Sequence, residues 1–191
     1  MQFVVTLPEW AIRAQHELPT HLLAAEDQMR EVVRFAQLNI DNRSGGPFAA
    51  GIFERDTGKR IVIGVNRVIP SNVSSAHAEI VALSVAQQLL NRWDLGSSTM
   101  PALQLVVNWR PCAMCYGAII WSGIRSLVIA GSDDACEQIT GFDEGPIHPD
   151  WRNELAKRGI ALQDGVLYDQ AVAVFRNFRD SCDVVYNARR S

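Results

Sequence analysis

Lysine is scarce in this 191-residue chain: Lys59 and Lys157 are the whole supply, and the remaining positive charge sits on scattered arginines. No basic run longer than a pair occurs, the terminal Arg189-Arg190 included, and the formal net charge is −3 at pH 7. Nucleic-acid binding shows in a sequence as a basic face or stripe, so no nucleic-acid partner is expected. Cysteine is also sparse, with four residues, too few for a disulfide scaffold. No apolar run reaches the ~20 residues needed to span a bilayer, and no charged leader with an apolar core opens the chain. These absences point to a cytoplasmic protein without a membrane partner. Repeats, low-complexity tracts and linkers are missing too. The expectation is a single domain over 1–191, with an extension at about 1–19 and a tail at about 179–191.

What is present suits a globular core: 48% of residues are apolar and 20% charged. From Thr20, a possible N-cap, Leu22, Met29, Val32, Val33, Ala36 and Ile40 form a helical stripe, stopped by Ser44-Gly45-Gly46-Pro47. Apolar runs at 48–54 and 60–66 flank Asp56-Thr57-Gly58-Lys59, a hairpin signal. A helix is expected over about 76–92, capped by Ser74 or Ser75. Leu103–Val107 reads as a buried strand and Ser126–Ala130 as another. Helix, strand and helix follow at 150–158, 160–162 and 169–178. Strands alternating with helices after a hairpin imply a three-layer α/β/α sandwich around a central mixed β-sheet.

One stretch carries chemistry. Pro111-Cys112-Ala113-Met114-Cys115 opens an apolar helix, with proline suited to the first helical position. Cys112 and Cys115 then share one face at the positive end of that helix, where the dipole favours thiolate. Alone, such a pair also fits a redox couple or a structural metal knuckle, and a lone histidine is usually a core residue. Upstream, however, stands His77-Ala78-Glu79. His77 supplies a third ligand, and three protein ligands leave a fourth tetrahedral position for water, the arrangement of catalytic zinc. Glu79, two residues on, reaches that water without ligating, as a proton shuttle must. His-x-Glu followed by Pro-Cys-x-x-Cys is the signature of zinc nucleobase deaminases, matched here without substitution. Cys136 and Cys182 read as ordinary buried or half-buried thiols.

On these motifs the chain resembles the cytidine deaminase-like superfamily over roughly residues 22–162, and is most similar to its guanine, cytosine and tRNA adenosine deaminases. Gly141-Phe142-Asp143-Glu144-Gly145-Pro146 resembles the Gly-Phe-Asp-acidic stretch of guanine deaminases. That resemblance implies a zinc-dependent conversion of guanine to xanthine and ammonia, with ammeline-like aminotriazines as further substrates. It implies Glu144 as a second acid contacting the base, Asp143 beside it, Asn66 as a hydrogen-bonding partner and Trp121 as a pocket wall. A C-terminal lid, with Tyr186 as its aromatic, and a homodimer are implied as well. As bare sequence, Asp143-Glu144-Gly145 also reads as a solvated turn, Asn66 as a strand-ending turn residue and Trp121 as core. Asn108-Trp109-Arg110 departs from relatives that carry glutamate before the proline. A tRNA adenosine or cytosine deaminase is the alternative within the fold, and a non-catalytic zinc-binding module the alternative outside it.

Overall fold

The computed structural model describes residues 1, 4–181 and 183–189; Cys182 and Arg190 lie outside the described residues. The expected hairpin is present: β1, Ala49–Glu54, pairs antiparallel with β2, Arg60–Val65. The other edge of β1 carries β3, Leu103–Val107, again antiparallel. β4, Ser126–Ile129, and β5, Ala161–Gln163, then add in parallel, giving the order β2-β1-β3-β4-β5. The sheet is mixed, as the sequence implied.

Both faces are covered, which is why the strands read as apolar runs rather than as alternating ones. Alternate residues nonetheless divide cleanly between the faces. Phe53, Ile63, Val106 and Val128 meet α2, Ala25–Asp41, and α8, Tyr168–Ser181. Ile52, Val62, Leu105 and Leu127 meet α4, Ala78–Leu90, α5, Ala113–Ser122, and α7, Trp151–Lys157.

Three boundaries differ from expectation. Thr20 does not cap α2: its hydroxyl bonds His21 Nδ1 at 2.9 Å, its carbonyl accepts from Arg60 N–H, and α2 begins after Ala24. Extended pairing with the hairpin outcompetes the cap. Neither Ser74 nor Ser75 caps α4, since His77 is the N-cap residue. Pro111 precedes the capping Cys112 instead of occupying the first helical position. The extension forms α1, Glu9–Glu17, along the outer edge of β2, where Gln15 Oε1 accepts from Ile63 N–H at 2.7 Å. Two short helices, α3, Val68–Ser71, and α6, Ala135–Thr140, gave too few turns of periodicity to be read from sequence.

Close approach of α4 to β2 sets the level of everything that follows. A Cβ on Gly64 would stand 2.7 Å from Ala82 N and 3.0 Å from Ala78 O. Glycine is therefore required for the helix to lie against the strand backbone. Gly64→Ala should destabilise the protein by about 1–3 kcal/mol as α4 is forced outward, read as a lowered midpoint in chemical denaturation; an unchanged midpoint would show that the helix rides freely on the sheet.

Candidate active site

α4 and α5 bring their N-terminal ends together beyond the carboxyl end of β3, where ligands sit in open α/β sheets. Three residues of the segment from β3 to α5 are held by neighbours. Asn108 is fully buried; its Oδ1 accepts from Ala49 N–H and its Nδ2 donates to Pro47 O, both at 2.9 Å. Trp109 packs edge-on against Phe175, with ring centroids 5.1 Å apart. Arg110 pairs with Glu137 of α6 at 2.8 Å. Cys112 then caps α5, and Cys115 occupies its third position.

His77, Cys112 and Cys115 place their ligand atoms within 4.8 Å of one another. Cys112 Sγ lies 3.6 Å from His77 Nδ1. Bonds of about 2.3 Å to sulfur and 2.0–2.1 Å to nitrogen, at tetrahedral angles, put such atoms about 3.6 Å apart. The donor set and its spacing fit zinc. Electrostatics agree: Cys112 is brought down to about 4, chiefly by the hydrogen bond from the Cys115 thiol and, against burial, by His77. The Cys115 thiol moves up, through its hydrogen bond to Cys112 first and burial second. His77 is raised because its bond to Cys112 and the charges of Glu79, Cys112 and Glu144 outweigh burial.

Two carboxyls face this triad. Glu79, in the first turn of α4, is buried; burial first and the Cys112 charge second raise it to about 6. Glu144 lies on the loop after α6 and is raised to about 8, by burial first and then by Cys112 and Glu79. Its backbone is docked on α5, with Ala113 N–H donating to Glu144 O at 3.1 Å. Desolvation thus keeps both groups available as proton carriers near neutrality.

Asn66 is fully buried at the end of the hairpin. Its Oδ1 accepts from Val68 N–H at 3.2 Å and Gly46 N–H at 3.4 Å, while its Nδ2 donates to the Tyr186 hydroxyl at 2.7 Å. Tyr186 reaches this point from the C-terminal segment of its own chain. Its ring centroid is 4.6 Å from that of Phe142 and 6.1 Å from that of His77. The tail thus brings Tyr186 beside His77, Phe142 and Asn66.

Two expected site residues are elsewhere. The Asp143 side chain is exposed and accepts from Gly145 N–H at 3.0 Å, closing its own turn. The solvated-turn reading holds for Asp143 and not for its neighbour Glu144. Trp121 is 86% exposed near the far end of α5, more than a turn from Cys115, and is not part of the triad. Sequence reasoning missed Phe142, Asn108 and Asn187, whose importance comes from long-range contacts that leave no local periodicity. The Gly-Phe-Asp stretch was the one signal for Phe142.

Comparison with known proteins places these features in a family. The zinc-binding region of cytidine and deoxycytidylate deaminases matches residues 24–131. Guanine deaminase of Bacillus subtilis is 30% identical over 156 residues, covering 80% of this chain and 94% of that protein. A solved guanine deaminase from Nitrosomonas europaea is 44% identical, covers 94% of this chain and 98% of its own, and superposes with a TM-score of 0.88. A structure in complex with 2,6-diaminopurine is 46% identical over 98% of both chains, with a TM-score of 0.90. That protein is also solved with 8-azaguanine as variants in which a glutamate becomes aspartate or an asparagine becomes alanine or glutamine.

Metal and fold are coupled at such a triad, since ligation holds two helix ends together. Cys112→Ala is expected to lose bound zinc, measured by elemental analysis, and to lower the thermal midpoint. A variant retaining stoichiometric zinc would remove Cys112 from the ligand set.

Proposed function

This chain belongs to the cytidine and deoxycytidylate deaminase zinc-binding family, and from that membership we propose that it deaminates guanine to xanthine and ammonia. The observation that carries the reading is likeness over 94% of the chain to the Nitrosomonas guanine deaminase. Further support comes from Asn66 and Glu144 standing beside a zinc-type triad, since an asparagine and a glutamate are the residues varied in the 8-azaguanine complexes. Ammeline-like aminotriazines share the reactive amidine edge and belong to the proposed substrate range.

One zinc ion per chain, held by His77, Cys112 and Cys115 with water in the fourth position, would lower the pKa of that water. Glu79 takes a proton from the attacking water and delivers it to the ring nitrogen beside the reacting carbon. The remaining hydroxyl proton passes to the amino group, and ammonia leaves as the C–N bond breaks. Glu144 contacts the base and assists this second transfer. Asn66 meets the purine edge through its amide donor, since its Oδ1 already accepts from the Val68 and Gly46 N–H groups. Tyr186 covers the site and excludes water, which strengthens every charge inside.

The same reading includes a single deaminase domain, a cytoplasmic location and a homodimer. Cys112, Cys115 and Cys136 are free thiols, as in a reducing compartment. No helix among the described residues is long and apolar enough to cross a membrane. For the dimer, the support is α5, which carries no charged residue and presents Met114, Gly117, Ala118 and Trp121 along one outward stripe. Met114 is 40% and Trp121 86% exposed, and a Cβ on Gly117 would meet nothing within 4 Å. Such a face suits a second copy of the chain, which recasts Trp121 as an interface residue.

Ammonia release from zinc-loaded protein should be strong on guanine and weak on cytosine, cytidine, adenine and adenosine. Glu79→Gln should keep zinc and lower kcat by about 10³-fold or more. Turnover of cytosine or adenosine in place of guanine would move the assignment to another branch of the family, and zinc binding without any turnover would leave a binding module. Trp121→Asp should shift the protein to monomer in sedimentation velocity, and an unchanged dimer would place the interface elsewhere.

A further inference from the structure

We propose that Asn187 is a positioning residue for the deamination, acting by holding the loop that carries Glu144. This rests on the guanine deaminase reading for its catalytic consequence, though not for its structural part. The loop at 141–149 has no helix or strand, so its polar backbone groups depend on neighbours for partners. Thr140 Oγ1 accepts from Phe142 N–H at 3.2 Å, and Ala113 N–H donates to Glu144 O. Between these two anchors, Gly141 O and Asp143 N–H are met by one side chain. Asn187 Nδ2 donates to Gly141 O at 2.8 Å, and Asn187 Oδ1 accepts from Asp143 N–H at 2.9 Å.

A carbonyl and an N–H two residues apart form the pattern that a neighbouring strand would read. Here a primary amide reads it, having donor and acceptor on separate atoms of one plane. A carboxylate could accept without donating. Glu144 is the residue immediately after the clamped Asp143, so the direction of its side chain follows from this clamp and from the Ala113 bond on its other side. The residue before Asn187 is Tyr186, whose hydroxyl takes the Asn66 donor. Adjacent residues of the tail thus contact the two groups assigned to the base, Asn66 directly and Glu144 through its loop. The C-terminal segment sets catalytic geometry in addition to covering the site.

The test uses full-length, zinc-loaded protein with Asn187→Ala and, as a milder change, Asn187→Asp, which keeps the acceptor and loses the donor. Zinc content and the thermal midpoint of both should stay near wild type. Hydrogen exchange of the 141–146 peptide should accelerate, and kcat on guanine should fall about 10- to 100-fold in Asn187→Ala, the scale expected when a reacting group is misplaced, with a smaller fall in Asn187→Asp. Because the effect travels through Glu144, adding Asn187→Ala to Glu144→Gln should slow the enzyme no further. Multiplicative losses in the double variant, or unaltered exchange of the loop, would overturn the proposal. Were wild type inactive on guanine, the functional reading would fall, while loop exchange would still decide whether Asn187 holds the Glu144 segment.

Discussion

Two helix N-termini are forced to meet at one point, and the site depends on that meeting. α4 brings His77 and Glu79, α5 brings Cys112 and Cys115, and each end projects backbone N–H groups and a positive dipole toward the triad. The field suits thiolates and a carboxylate, while burial works against their charge. Glu79 and Glu144 rise because burial prevails over nearby positive charge; Cys112 falls because hydrogen bonds prevail over burial. A bound cation relieves the conflict, so the same burial that would be costly to bare anions sharpens the preference for metal. Without the glycine at position 64, α4 could not lie close enough to the sheet for this convergence.

Much of this was legible in the sequence because the candidate ligands, the neighbouring carboxyl and their spacing are local properties. His77 with Glu79, and Cys112 with Cys115, each sit within one turn of backbone. The hairpin and the central strands were legible for similar reasons: long apolar runs bounded by turn residues survive tertiary context. Helix starts were not. Thr20 and Ser75 look like caps, yet an N-cap is chosen by where the chain arrives in three dimensions, and the arriving residues were Ala24 and His77. Neither the His77 nor the Cys112 side chain bonds its helix as a cap would. That frees both side chains to ligate.

Misread residues share one cause. Asp143 and Glu144 are neighbours of the same chemistry, but one side chain closes a solvent turn and the other is desolvated near Cys112 and Glu79, while Phe142 before them packs among Phe48, Phe178 and Tyr186. Trp121 follows the cysteine pair in sequence but faces outward from the distal part of α5. The buried asparagines are the complementary case. Asn39 donates to Gly46 O and Asn66 O, and Asn108 ties β1 to the exit of β3. These amides satisfy irregular backbone beside the site, and nothing in local spacing marks them.

The edges of the sheet differ in a way that bears on solubility. β5 ends one side with three residues, two of them exposed, too short to template another strand. β2, at the other side, is six residues long and apolar, the type of edge on which chains pair and aggregate. The Gln15 carboxamide occupies the Ile63 N–H of that edge, and the Gln15 backbone carbonyl accepts from the Arg60 guanidinium at 2.7 Å. α1 is in this sense a gatekeeper. The N-terminal segment thereby covers part of the edge that β2 would otherwise offer to another strand.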